Sequence, residues 1–128
     1  MLIPGLVESH IHLDKALIAD REPNNSGTLQ EAIAVTAKLK PTFTEEDIYQ
    51  RAKQALEMLI VHGTTAVRTH AEFDPAQRFT GFDTIMRLKE EYKDLIDMQV
   101  VAFPQEGIFK APGTDKMMIE AMEKGADV

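Results

Sequence analysis

Two stretches of the chain alternate residue by residue, and in both the polar side is rich in ionisable groups. From Leu6 to Asp14, Val7, Ser9, Ile11 and Leu13 fall on one side, and Glu8, His10, His12 and Asp14 on the other. A period of two is the signature of a strand, and Pro4-Gly5 marks the turn before it. From Ala66 to Asp74 the pattern returns: Val67, Thr69, Ala71 and Phe73 oppose Arg68, His70, Glu72 and Asp74, with Pro75 as the stop. A third strand is predicted from Met98 to Gln105, ending in Pro104-Gln105-Glu106-Gly107.

Helical spacing fills the intervals. Thr28 and Glu31 make a capping box that opens a helix to about Lys40, where Pro41 stops it. Thr44 and Asp47 open the next, whose apolar face is Ile48, Ala52, Ala55, Leu56 and Leu59, and Gly63 closes it. A third helix is predicted from about Phe82 to Ile96, with Ile85, Leu88, Tyr92 and Leu95 on one face. Thr114 is the expected cap of a short helix containing Met117, Met118, Ala121 and Met122, whose methionines read as core filling. Ala126-Asp127-Val128 resembles the opening of a fourth strand.

Strands alternating with helices imply an α/β fold with a parallel sheet and right-handed crossovers. In an open doubly wound sheet the strands are covered on both faces and read as apolar runs. A strand with one ionisable face fits a closed barrel better, with inward residues lining a site at the C-terminal strand ends. A TIM-type (β/α)8 barrel takes ~250 residues. The expectation is therefore that residues 1–128 are the leading part of such a barrel: about three β/α units plus the start of a fourth strand. A small complete flavodoxin-like domain is the alternative. A partial barrel should cover its open edges by homo-oligomerisation or by swapping segments.

Charge and composition narrow the chemistry. With 14 basic and 21 acidic residues the net charge is −7, which argues against a nucleic-acid groove. No apolar run approaches a membrane span, and the charged first stretch is not a signal peptide. A cytoplasmic location is the expectation. There is no cysteine, so any metal must be held by His, Asp or Glu.

His10 and His12 are the sharpest candidates. On a strand, side chains at i and i+2 point the same way, so both imidazoles can reach one divalent cation, and imidazole suits Zn, Fe, Ni or Cu. Two ligands do not complete a catalytic site, which takes three plus water. Asp14 is expected on the same face. His70 is either a second donor behind the site, a substrate contact or part of an Arg68–His70–Glu72 network. Lys15 is either a surface partner of Asp14 or a substrate contact. His62, just before Gly63, reads as a helix C-terminal cap.

The sequence resembles a known family. Pro4-Gly5-Leu6-Val7-Glu8-Ser9-His10-Ile11-His12-Leu13-Asp14 looks like the first barrel strand of the amidohydrolase superfamily. Ser26-Gly27-Thr28-Leu29, Val67-Arg68-Thr69-His70 and Val101-Ala102-Phe103-Pro104-Gln105-Glu106-Gly107-Ile108 resemble its cytosine deaminase branch, which includes aminohydrolases of ammelide-type triazines. The resemblance implies a metal-dependent hydrolase that releases an amine from a cytosine-like or triazine-like heterocycle, with one Zn or Fe ion held in part by His10 and His12. It implies that Gln105 reads the ring and that Leu29 is an apolar contact beside it. The remaining ligands, the catalytic Glu and His, and the family's small β-sandwich are expected outside residues 1–128, so the isolated chain is expected to be inactive. Lys15 departs from the cytosine deaminase pattern, which leaves the exact ring open. Two other readings stand beside this one: a non-catalytic α/β module that self-associates or binds a metabolite, and a related ring-opening hydrolase that would share the first strand only.

Overall fold

Three parallel strands, β1 (Leu6–Ile11), β2 (Thr64–Glu72) and β3 (Asp97–Phe103), form one sheet in the order β1-β2-β3. The computed structural model describes all of Met1–Val128. β2 and β3 run in unbroken register from Ala66 opposite Asp97 to Glu72 opposite Phe103, whereas the β1–β2 register shifts twice. Asp127 N donates to Val100 O at 2.9 Å and Ala102 N to Val128 O at 2.8 Å. The last residues thus lie along the open edge of β3, as expected for the opening of a further strand.

The helices are α1 (Leu29–Leu39), α2 (Glu45–Val61), α3 (Thr80–Glu91) and α4 (Thr114–Glu123). The apolar side of β2 explains where α2 and α3 sit. Val67, Thr69, Ala71 and Phe73 are all buried, in a core with Ala52 and Leu56 of α2 and Phe82, Ile85 and Leu88 of α3. Phe73, Phe79 and Phe82 meet with ring centroids 5.3 to 6.2 Å apart, in tilted and edge-on pairs that aromatic quadrupoles favour. α1 differs: none of its residues is buried. It stands over the C-terminal strand ends rather than on the sheet's outer face.

Local sequence signals explain most boundaries. Thr28 and Thr44 cap α1 and α2 by accepting from Glu31 N and Asp47 N, each at 3.2 Å. Glu31 does not close the expected capping box on Thr28; its carboxylate reaches further back, to Ser26 N and Oγ. His62 Nδ1 bonds Met58 O, so the helix-end reading holds, and Gly63 follows at φ +91°.

Four expectations are corrected. β1 ends at Ile11 rather than Asp14, and Leu13–Lys15 form a 3-10 turn. The turn lets Leu13 enter the core, and Arg51 of α2 grips it by donating to Asp14 O at 3.2 Å and Ala16 O at 2.7 Å. α3 stops at Glu91, and Leu95 is exposed while Ile96 turns into the core. Gly113, at φ +93°, precedes α4; Thr114 is the first helical residue, is buried, and does not cap. Met122 is exposed, unlike Met117 and Met118, which pack on the core.

Candidate active site

His10, His70 and Phe103 bring β1, β2 and β3 together on the concave side of the sheet. His10 of β1 and His12, just past its end, lie with ring centroids 5.4 Å apart, and His70 of β2 stacks on His10 at 4.2 Å. Phe103, at the end of β3, meets the rings of both His12 and His70 edge-on. Beyond them opens a cavity of about 400 Å³, lined by His12, Lys15, Leu29, Phe103 and Gln105 and closed above by Ile33 and Thr36 of α1. A cleft of about 630 Å³ at the opposite end of the strands, between Ser9, Arg68 and Asp97, holds none of these groups.

His12 is held in one state. Its Nδ1 lies 3.1 Å from His70 O. A carbonyl oxygen only accepts, so Nδ1 carries the hydrogen and Nε2 keeps a free lone pair. Burial, reinforced by the Lys15 ammonium, pushes the imidazole down to about 4, so it is neutral near pH 7. Burial, with help from His10, also lowers His70, whose Nδ1 is buried without a hydrogen-bond partner.

Lys15, Lys40 and Glu72 form the cavity floor, with Asp74 and Asp14 behind it. Lys15 Nζ donates to Gln105 Oε1 at 2.9 Å and pairs with Glu72 Oε2 at 2.6 Å, while Lys40 bridges Glu72 and Asp74. Asp14 lies beneath. Its Oδ2 accepts from Glu72 N at 3.1 Å, and Oδ1 has no partner. Burial pushes the Asp14 carboxyl up to about 6 against the pull of Lys15. Gly81 of α3 permits this packing: a Cβ there would stand 3.3 Å from Glu72 O and 3.5 Å from Asp14 Oδ2.

The donor set can be tested against a divalent metal. Two neighbouring imidazoles are suitable ligands, and the His70 carbonyl behind His12 is the outer support that such ligands usually have. No three His, Asp or Glu side chains of the chain converge on one point. His10 and His12 therefore fit as part of a metal's donor set.

Known proteins share the sequence and fold of this chain. The sequence profile described as Amidohydrolase family matches residues 1–124. The chain belongs to the amidohydrolase family. It is 32% identical over 133 residues to N-isopropylammelide isopropyl amidohydrolase of Pseudomonas sp. (strain ADP), covering 100% of this chain and 33% of that protein. It is 32% identical to pterin deaminase of Rhizobium rhizogenes (strain K84 / ATCC BAA-868), over 81% of this chain and 24% of that one. The crystal structure of 5-methylcytosine deaminase from Klebsiella pneumoniae liganded with phosphonocytosine superposes with a TM-score of 0.88 at 44% identity, over 98% of this chain and 30% of the other. N-isopropylammelide isopropylaminohydrolase from Burkholderia multivorans ATCC 17616 gives a TM-score of 0.81 at 30% identity, over 98% and 31%. The chain thus spans about a third or less of the length of these amidohydrolase relatives.

Within this amidohydrolase frame, His12, Leu29, Lys15 and Gln105 share the cavity, and His10 stands beside it. Two expected residues are placed elsewhere. Asp14 is not on the histidine face, because the 3-10 turn swings it under the cavity floor. Arg68 lies two residues earlier on β2 than His70, about 7 Å down the strand, and donates to Gln99 Oε1. An Arg68–His70–Glu72 network is therefore absent: Glu72 pairs with Lys15 and Lys40, and His70 contributes its main-chain carbonyl to His12. Lys40, Phe103 and Arg51 are the participants that sequence reasoning missed. Lys40 carries no local signal, and Arg51 only its i,i+4 pair with Asp47, since the partners that place them in the site lie 32 to 37 residues away. Phe103 could have been found from its place just before Pro104-Gln105.

Proposed function

We propose that residues 1–128 are the leading part of the barrel of a metal-dependent hydrolase that cleaves an exocyclic C–N bond of a cytosine-like or triazine-like ring. The observation that carries this reading is the cavity itself, which has the imidazole of His12, the carboxamide of Gln105 and the apolar side chain of Leu29 in its wall. The relatives named above act on rings of this kind by name, and the C–N hydrolase class follows from them.

In this reading His10 and His12 hold one divalent ion together with ligands from outside these residues. When bound, such an ion acts as a Lewis acid that makes water a competent nucleophile near pH 7. The chain's own residues do the rest of the positioning. His12 stays neutral and offers Nε2, because its Nδ1–H is committed to His70 O. Gln105 hydrogen-bonds the ring, which rejects heterocycles whose edge leaves its amide unpaired. Leu29 and Phe103, both in the cavity wall, give the ring its apolar contacts. Proton transfer at the leaving amine belongs to groups outside this chain, and the isolated 128 residues turn nothing over. Their open sheet edges favour self-association.

The test uses the full-length protein. It should hold one Zn or Fe per chain and release ammonia or an alkylamine from cytosine or ammelide. His10→Ala and His12→Ala should each lower metal occupancy and reduce turnover at least 100-fold, in keeping with the loss of a direct ligand. Full turnover by His12→Ala, or a protein that neither holds metal nor acts on either ring, would return the chain to a non-catalytic module.

A further inference from the structure

Lys15 makes a contact that neither the ring-binding nor the metal-holding reading requires. Its Nζ stands between two acceptors, Gln105 Oε1 at 2.9 Å and Glu72 Oε2 at 2.6 Å. The lysine side chain is 12% exposed and that of Glu72 6% exposed, so little water competes for these contacts. Its backbone is equally fixed, because Arg51 holds the carbonyls on both sides of it, Asp14 O and Ala16 O. Arg51 is itself buried, stacks on Phe43 at 4.6 Å, and pairs with Asp47 one helical turn before it. A rigid path thus runs from α2 through the 3-10 turn to one oxygen of Gln105.

A carboxamide has two nearly isosteric ends, and rotation by 180° exchanges a donor for an acceptor. An ammonium has only hydrogens to offer. Turned the other way, Gln105 would set its NH2 against the Lys15 NH3⁺, donor against donor. Nothing else in the chain hydrogen-bonds to the Gln105 side chain.

We propose that Lys15 is a positioning residue that locks the orientation of Gln105, so that the NH2 end of the carboxamide faces the ring and the pocket takes a heterocycle presenting an acceptor, a carbonyl oxygen or an unprotonated ring nitrogen, at that edge. The inference rests on the reading of Gln105 as the ring contact. Glu72 aims the lysine by pairing with it, and Lys40 is a second cation on the same carboxylate.

Steady-state kinetics of the metal-loaded, full-length enzyme, with cytosine and with ammelide, test it. Gln105→Ala should raise KM by roughly 10- to 100-fold, the range for losing a hydrogen bond in a desolvated site. Lys15→Met should raise KM about tenfold with a smaller change in kcat, and Lys15→Arg should restore most of it, because the fork still donates to Oε1. In a Gln105→Ala background Lys15→Met should change KM less than about twofold, since a residue acting through another adds nothing once that other is gone. Gln105→Glu tests which end faces the ring: it keeps the shape and the Lys15 contact but puts an acceptor oxygen and a negative charge where the NH2 stood, so it should bind a ring acceptor no better than Gln105→Ala.

A KM unchanged by Gln105→Ala would sink the ring contact itself. Additive effects of Lys15→Met and Gln105→Ala, or a Gln105→Glu enzyme with parental KM, would overturn the positioning role while leaving the ring contact standing. Should Lys15→Met not fold, as judged by thermal melting, Lys15→Leu, which likewise has no donor, replaces it in the same cycle with the same expected outcomes.

Discussion

The two sides of β2 obey different physics. On the convex side Val67, Thr69, Ala71 and Phe73 are closed in by α2 and α3, and their places are set by volume. On the concave side Arg68, His70, Glu72 and Asp74 are placed by partners: Gln99 for Arg68, the His10 ring for His70, Lys15 and Lys40 for Glu72, and Lys40 for Asp74. The convex side spends apolar burial to hold the strand still. The concave side uses that rigidity to hold His12, Lys15, Lys40 and Glu72 in the wall of one cavity, with His10, His70 and Asp74 beside them. A core tolerates a substitution of similar volume, while a buried ion cluster tolerates loss of a partner poorly. The same strand should therefore respond to mutation in two distinct ways.

The largest effect is expected on the convex side. Phe82 is fully buried and touches Phe73 and Phe79 edge-on. Phe82→Ala should destabilise the protein by about 4 kcal/mol in chemical denaturation, the usual size for a buried aromatic truncation, and Phe82→Leu by less than half of that. Comparable losses from the two variants would mean that the convex face is not set by volume.

On the concave side Lys40→Met removes the shared partner of Glu72 and Asp74 and should cost about 2 kcal/mol. That is below the cost of orphaning a fully buried ion, because Glu72 keeps Lys15. The loss should shrink when Asp74→Asn is added, since one unpaired charge then disappears. A double variant no better than Lys40→Met alone would show that Lys40 acts by packing rather than by charge.

This asymmetry also explains what the sequence could reveal. The β1 and β2 alternation, the Thr28 and Thr44 caps and the pairing of His10 with His12 are local, periodic signals, and they locate the sheet and the face beside the candidate site. Leu29 and Gln105 were reached only through motif resemblance; the cavity brings them together across 76 positions of sequence because α1 leans over the loop after β3. Asp14 and Arg68 went astray for one reason. Alternation assigns a side but not a height along the strand or the residue at which the strand stops. The 3-10 turn at Leu13–Lys15 depends on Arg51, which approaches from a helix more than 30 residues later. Lys40 is invisible in the same way, since its value lies in two carboxylates on another element.

Smaller effects probe the elements that hold the turn from outside. Thr44 accepts from Asp47 N at the start of α2. Thr44→Ala should cost about 1 kcal/mol, and Thr44→Ser should restore most of it. If the cap matters only for the helix, the kinetic constants of the full-length enzyme should not move with it, whereas a shift in KM would tie α2 directly to the cavity through Arg51.

The smallest effect is one of pH. The hydrogen bond from Arg21 holds the Asp47 carboxyl below its ordinary range against the opposing effect of burial, and Arg51 adds to the lowering. A carboxyl whose value is depressed on folding stabilises the native state above its unfolded value, near 4. That contribution is lost as the pH falls through the lower folded value. Stability measured from pH 6 down to pH 2 should therefore decline on the acid side, and Asp47→Asn should flatten part of the decline. Since Arg21 is exposed, the difference should be ~0.5 kcal/mol at low ionic strength and fade with added salt. An Asp47→Asn protein with an acid limb as steep as the parent's would remove Asp47 from the group of charges that anchor Arg51, and with it the electrostatic part of the link between the convex helix and the concave cavity.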